Sequence, residues 1–403
     1  MSLVIREPRD DELDEVAFIG AYSFHGDRSP EALEHRRSLY NVLRPLAAFE
    51  NGRAVASLTL LSLPMAVNGG SQPFVGVASV ACLPEHRRKG FAGRLLTRAL
   101  EMMRETGQVL SGLYTPHFAL YRRYGWMPAG RALRYTFRPR DVALTVEGGP
   151  RGEAMRVSHE EWAGLDTIYR EFIARRNGYL HRSEQWWRQG VLREFFDRGG
   201  DELDVAAWVT DDEWRGYVVY AMKGWPEGGP RLRVRDFVAL DSVAYVGLVR
   251  YLLHHDLVSQ LQWWAPPDDP FLSLLADPNH VQVAYDQAMF LRVVDVAGAF
   301  AARPCLTEAP GRSLTLELTD EAAPWNAGCW RLEADDGHTV ARKWEGLADL
   351  SLDVTVLAAL YNGFLTPSEA ARGGLVKVHR ESALADADRI FAVLCPPFTA
   401  DSF

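Results

Sequence analysis

The stretch from Phe74 to Gly107 constrains this chain most, because an apolar run, a turn dense in cations and an amphipathic segment follow one another without a break. Phe74, Val75, Val77, Val80 and Cys82 form a short apolar run rich in β-branched residues, bounded by Gly70-Ser71-Gln72-Pro73 and by Leu83-Pro84. That pattern predicts a buried strand. Beyond Glu85-His86-Arg87-Arg88-Lys89-Gly90, the residues Phe91, Leu95, Ala99 and Met102 recur every three or four positions, with Arg94, Arg98, Glu101 and Arg104 between them. A helix starting near Gly90 and ending at Gly107 follows. The N-terminus of a helix presents unpaired N–H groups and the positive end of the macrodipole, so it attracts an anion. Gly90, Ala92 and Gly93 keep side chains small there, and Arg87, Arg88 and Lys89 add charge. A pyrophosphate suits this cradle better than the plainer alternative, a basic turn capping a solvated helix. The two common nucleotide motifs, G-x-x-x-x-G-K-[ST] and G-x-G-x-x-G with its acidic partner, do not fit.

The chain has 403 residues, too many for one compact core, so two or three domains are expected. A hydrophobic content of 47% with 24% charged residues is ordinary for globular material. No apolar run approaches the length that spans a bilayer, and the acidic start (Glu7, Asp10, Asp11, Glu12) is unlike a targeting peptide, so a cytoplasmic location without a membrane span is expected. The formal net charge of −9 argues against a nucleic-acid binder and suits cationic acceptors. Cys82, Cys305, Cys329 and Cys395 are scattered, with no C-x-x-C and no histidine at ligand spacing, so reduced thiols, most of them buried, are expected, with no metal site.

Along the chain, Val4–Arg6 reads as a strand, Asp10–Phe24 and Pro30–Tyr40 as helices, and Leu46–Phe49 with Ala54–Ser62 as a hairpin across Asn51-Gly52. After the organising helix come a strand to Tyr114, a short helix Phe118–Tyr124 closed by Gly125, and a strand Leu133–Phe137 expected to finish the first sheet. A linker, Thr145–Gly152, then opens a second unit whose order of elements echoes the first. Where the first unit has its cationic turn, the second has Ala239-Leu240-Asp241-Ser242, so no phosphate cradle is expected in it. From Val296 the pattern turns to alternating strands and then helices, an α+β unit. The expected domains are 1–145, 146–295 and 296–403.

The turn Arg87-Arg88-Lys89-Gly90-Phe91-Ala92 is an R-x-x-G-x-A pattern and resembles the acyl-CoA loop of GNAT-type N-acetyltransferases. Phe118-Ala119-Leu120-Tyr121-Arg122-Arg123-Tyr124-Gly125-Trp126 is similar to the GNAT segment in which a tyrosine, four residues before a glycine and an aromatic, is the general acid. The plain alternative for Tyr121 is a core-packing tyrosine. Asn177-Gly178-Tyr179-Leu180-His181-Arg182, the pair Trp186-Trp187, the Leu357–Gly363 stretch and a tail ending Asp401-Ser402-Phe403 extend the resemblance end to end. The whole chain resembles the Eis (enhanced intracellular survival) family.

The resemblance implies an α/β and α+β fold: tandem GNAT domains, the first CoA-binding and the second degenerate, plus a C-terminal sterol-carrier-protein-like domain. It implies direct transfer from acetyl-CoA to a primary amine, an aminoglycoside-like or polyamine molecule or a lysine ε-amine. Tyr121 is then the acid, the free α-carboxylate of Phe403 the base, and the main chain of Val80, Ala81 and Cys82 faces the thioester, with Arg87 to Gly93 on the pyrophosphate. Phe24, Asp27 and Asp401 are the candidates for an acidic, aromatic acceptor pocket, although Asp27 equally fits an Asx turn. A homohexamer of two trimers is implied as well. Two rival readings are a non-catalytic acyl-CoA or lipid binding protein and a protein-lysine acetyltransferase.

Overall fold

A computed structural model describes residues 3–146, 151–193, 203–224, 228–306, 313–335 and 337–403. The middle of the expected linker, 147–150, lies outside the described residues. The chain begins with β1 (Leu3–Arg6), α1 (Leu13–Ser23), α2 (Pro30–Ser38), β2 (Leu43–Glu50), β3 (Arg53–Ser62), a small hairpin β4 (Met65–Val67) and β5 (Gly70–Gln72), β6 (Phe74–Cys82), α3 (Phe91–Glu105), β7 (Leu110–Leu113), α4 (Phe118–Arg122) and β8 (Met127–Pro128). There follow β9 (Arg131–Phe137), β10 (Glu153–Arg156), α5 (Trp162–Ile173), α6 (Glu184–Trp186), β11 (Asp204–Thr210), β12 (Glu213–Lys223), β13 (Arg231–Ala239), α7 (Ser242–Leu253), β14 (Gln260–Ala265), β15 (Gln282–Gln287) and β16 (Phe290–Val293). The last third holds α8 (Val296–Ala301), β17 (Ser313–Thr319), β18 (Gly328–Asp335), β19 (His338–Lys343), β20 (Leu350–Asp353), α9 (Val354–Tyr361), α10 (Pro367–Arg372), β21 (Val376–Val378) and α11 (Ala383–Ile390).

Two compact units divide the chain: Met1–Ala129 with Met289–Leu394 and Phe403 form one, and Gly130–Ala288 with Cys395–Ser402 form the other. In the first unit a seven-stranded sheet runs β1-β2-β3-β6-β7-β16-β8, and a separate five-stranded sheet runs β19-β18-β17-β20-β21. Local chemistry sets many of these elements. Asn51 and Gly52 both take positive φ, 53° and 83°, which gives the turn whose twist suits a two-residue hairpin between β2 and β3. Ser29 accepts the N–H of Ala32 and Pro30 sits at the first position of α2, so that helix starts where the chain expects it to. Leu95, Leu96, Ala99, Leu100 and Met103 of α3 are buried together with Val75, Val77 and Leu113 of the central strands. Each buried aliphatic side chain of this kind contributes about 1.5–3 kcal/mol. All eight residues of α9 are buried, which identifies it as the core helix of the last third.

The second unit has its own seven-stranded sheet, ordered β10-β11-β12-β13-β14-β9-β15. Here the structure departs from the sequence reading. Leu133–Phe137, expected to finish the first sheet, belongs to β9, which pairs antiparallel with β14 and β15. In the first sheet its place beside β7 is taken by β16, with Leu113 opposite Phe290 and Leu110 opposite Val293. Alternation marks a strand as half-buried and says nothing of which sheet it joins, so the two could not be told apart locally. The cysteines differ too: Cys82, Cys305, Cys329 and Cys395 are half-buried rather than buried, and none forms a disulfide. Among the described residues, no helix is long and apolar enough to cross a membrane.

Candidate active site

The site is set by the way β6 leaves its neighbours. Its parallel pairing with β7 runs from Phe74↔Leu110 to Val77↔Leu113 and stops. Against β3 the register shifts, Thr59 facing Ala78 but Ser57 facing Ala81, so β6 carries an extra residue. Ser79 takes φ 50°, the left-handed conformation that lets a bulge bend its strand. Past the bulge, Val80, Ala81 and Cys82 continue beyond the end of the β6–β7 ladder, while Ala81 and Cys82 stay paired with Ser57 and Ala56 of β3.

The turn that follows is prepared for a phosphate. Arg87, Arg88 and Lys89 are exposed, and Arg87 donates from Nε to the Cys82 carbonyl at 3.1 Å. Gly90 is the N-cap of α3 at φ 83°, with no side-chain cap on the helix. A Cβ at Gly90 would have no heavy atom within 4 Å, so the space above the first turn is open. The residues thus fit an acyl-CoA pyrophosphate: free helix N–H groups, an open glycine and a cluster of cations. Gly93 has a different reason for its size. A Cβ there would overlap the Tyr124 hydroxyl, so the missing side chain admits Tyr124 rather than a phosphate.

Tyr121 lies buried at the end of α4, and burial pushes its phenol up to about 12. Its carbonyl accepts the N–H groups of Tyr124 at 3.0 Å and Trp126 at 3.2 Å, closing the turn at Gly125. Burial also pushes the Cys82 thiol up, against the pull of Arg87, which keeps it protonated and unsuited to nucleophilic attack.

Phe403, the last residue, is only 6% exposed. Its ring meets Phe74 edge-on at 6.3 Å and Tyr114 at 5.5 Å between centroids. It lies on Gly76, where any Cβ would overlap it. The ring therefore lies along the β6–β7 ladder, from its first pair to the residue that follows its last. The sequence reading has Phe74 and Tyr114 only as strand residues and does not single out Gly76; a glycine inside a β-branched run was the available signal.

The acceptor candidates separate. Phe24 caps α1 and is 55% exposed, and Asp27 shares the turn between α1 and α2, accepting the Ser29 N–H at 2.9 Å. Asp401 does not belong with them. Its side chain is buried in the second unit, where it accepts from Arg182 Nε at 3.0 Å and Trp186 Nε1 at 2.8 Å. Arg182 also reaches Asp236 at 2.6 Å. A carboxylate in a dry cluster needs these partners to stay charged, so Asp401 is an anchor rather than a pocket residue.

The second unit repeats the strand–turn–helix theme with different chemistry. Asp241 caps α7, accepting the Ala244 N–H at 2.9 Å and pairing with Arg215 at 3.1 Å. A carboxylate holds the place that an anion would need.

An acetyltransferase (GNAT) domain family matches residues 4–129, a second acetyltransferase (GNAT) domain family residues 178–293, and the sterol carrier protein domain residues 296–399. An uncharacterized N-acetyltransferase of Streptomyces coelicolor is 30% identical over 395 residues, 94% of this chain and 95% of that one. The N-acetyltransferase Eis of Mycobacterium bovis is 24% identical over 414 residues, with both chains fully covered. Among solved structures, Eis1 from Mycobacterium abscessus matches with a TM-score of 0.81 at 28% identity, over 99% of this chain and all of the other. A GCN5-related N-acetyltransferase from Anabaena variabilis shares the fold, with a TM-score of 0.89 at 22% identity over all of both chains. Fold and site together define an acetyltransferase with tandem GNAT domains and a terminal sterol carrier domain. The chain belongs to the Eis-like family of GNAT N-acetyltransferases, and the acyl donor of GNAT domains is acetyl-CoA.

Proposed function

We propose that the chain transfers acetyl from acetyl-CoA directly to a primary amine, with Tyr121 as general acid and the α-carboxylate of Phe403 as general base. The observation that supports this reading is the docked ring of Phe403, buried against Phe74 and Tyr114 along the β6–β7 ladder. Arg87 to Gly93 hold the pyrophosphate, and the main chain of Val80 to Cys82 lies along the thioester.

An acceptor arriving as an ammonium loses one proton to solvent before it can attack. Its nitrogen then adds to the thioester carbonyl, and the second proton passes to the Phe403 carboxylate through water. An α-carboxylate is normally far too acidic for this, so a desolvated site that raises its affinity for a proton is part of the mechanism. When the C–S bond breaks, the departing sulfur takes the Tyr121 proton, and Tyr121 recovers one from the base through solvent. A phenol near 12 is fully protonated at neutral pH and stands ready as the donor.

The acceptor is a small cationic amine, aminoglycoside-like or polyamine, or a lysine ε-amine. Exposed Phe24 beside Asp27 supports a cation-accepting mouth, as does the net charge of −9. The proposal extends to a homohexamer of two trimers, readable by light scattering. The direct test is thiol release from acetyl-CoA with aminoglycosides, polyamines and lysine peptides, using the native protein and a form lacking Phe403. Turnover that survives removal of Phe403 would refute the base assignment.

A further inference from the structure

We infer that Arg292 and Asp320 are positioning residues for Tyr121, so that a side chain of the sterol carrier domain braces the acetyltransferase centre. The inference rests on the reading of Tyr121 as the acid. Tyr121 stands on a helix of five residues, too short to hold itself. Its place depends on the turn that closes behind it. The Gly125 N–H donates to the Arg122 carbonyl at 3.0 Å, and Gly125 takes φ 87°.

The positive φ explains a glycine only in part. A Cβ on Gly125 would overlap Nη1 of Arg292, and Cζ would lie 2.5 Å away. The guanidinium thus lies against the turn, in the space a side chain would fill. Arg292 comes from β16, opposite Ser111 on the strand that precedes α4, and is 0% exposed.

Its Nη2 donates to both oxygens of Asp320, at 2.9 and 2.6 Å. Among the described residues, Nε and Nη1 have no hydrogen-bond acceptor. A buried guanidinium in this state is costly, and an apolar side chain would fill the space more cheaply. What the arginine supplies is a rigid plate whose position is dictated by one carboxylate. Asp320 is fixed in turn: it accepts from the Ala323 N–H and from Asn326 Nδ2, each at 3.0 Å, and the same amide nitrogen reaches the Val294 carbonyl at 3.0 Å. A continuous line runs from the loop after β17, through Asp320 and Arg292, to the turn that carries Tyr121.

The test is a double-mutant cycle of Asp320→Asn with Tyr121→Phe, read as kcat and KM for acetyl-CoA in the full-length protein. Asp320→Asn alone is expected to lower kcat roughly 10- to 100-fold, as an ångström-scale misplacement does, with acetyl-CoA affinity by calorimetry retained. In the Tyr121→Phe background it should cost nothing more. Gly125→Ala, which displaces the guanidinium from the other side, should reproduce the kcat loss and its absence in that background. Losses that multiply in the cycle, or an unchanged kcat in Asp320→Asn, overturn the inference while leaving Tyr121 as the acid. Full kcat in Tyr121→Phe alone overturns the acid reading and this inference with it.

Discussion

The ring of Phe403 meets that of Tyr114 edge-on, 5.5 Å between centroids and 69° between planes. This geometry favours aromatic pairs because the positive edge of one ring faces the negative face of the other, worth about 0.5–1.5 kcal/mol beyond the area buried. Tyr114 directly follows β7, and Phe74 opens β6, so the terminal ring touches both strands that part at the site.

Filling Gly76 should expel that ring. Gly76→Ala places a Cβ inside the Phe403 ring while leaving the α-carboxylate chemically intact. The expected result is a kcat loss of about 10²-fold or more, within the range of general-base removal. Carboxypeptidase should then remove Phe403 faster than from the native protein, as mass spectrometry would show.

Tyr121→Phe should lower kcat by about 10²–10⁴-fold with little change in KM for acetyl-CoA. The native phenol also makes a stability prediction. Its folded pKa of about 12 lies above the ordinary value of 10, so the unfolded chain loses this proton first. The contribution is complete below pH 10 and disappears as pH rises through 12. Half-buried Tyr40, also pushed up to about 12, adds to the same fall. Urea midpoints should hold steady up to pH 10 in this respect and drop above it, less steeply in Tyr121→Phe.

Charge and shape at the cationic turn before α3, the proposed CoA site, are separable. Arg88→Ala should raise the KM for acetyl-CoA, with the defect shrinking as salt screens the native interaction. Gly90→Ala meets no steric obstacle, yet φ 83° is strained for any residue with a Cβ. It should cost about 1–2 kcal/mol of stability. Gly93→Ala should act by displacing Tyr124 instead, which thermal melts of Gly93→Ala and Tyr124→Phe would reveal.

Asp401→Ala should damage folding before chemistry. It strips one carboxylate from a fully buried Arg182, a change that typically costs about 3–5 kcal/mol. Thermal denaturation measures this. A protein of native stability with only a raised acceptor KM would restore Asp401 to the acceptor pocket.

The central motif was legible because its causes are local. The alternation of β6, the cations of the turn and the spacing of α3 are short-range patterns, and the GNAT and carrier resemblances rest on motifs of the same kind. Gly125 and Gly76 were visible as letters but not as reasons: each is small because of a side chain far along the chain, Arg292 in one case and Phe403 in the other. Asp401 misled for the same cause. The resemblance made it a candidate for the acceptor pocket, and only the fold places Arg182 and Trp186 around its carboxylate.

By itself, then, the sequence determined many of the elements, the cationic turn ahead of α3 and the order of two GNAT domains and a carrier domain, since backbone propensity, apolar period and charge act over a few residues. Only the tertiary structure decided that β16 and not β9 completes the first sheet, that Gly93 makes room for Tyr124, and that Asp401 is an anchor. Those outcomes depend on which desolvated surfaces and charges meet across hundreds of residues, and no local period encodes such a meeting.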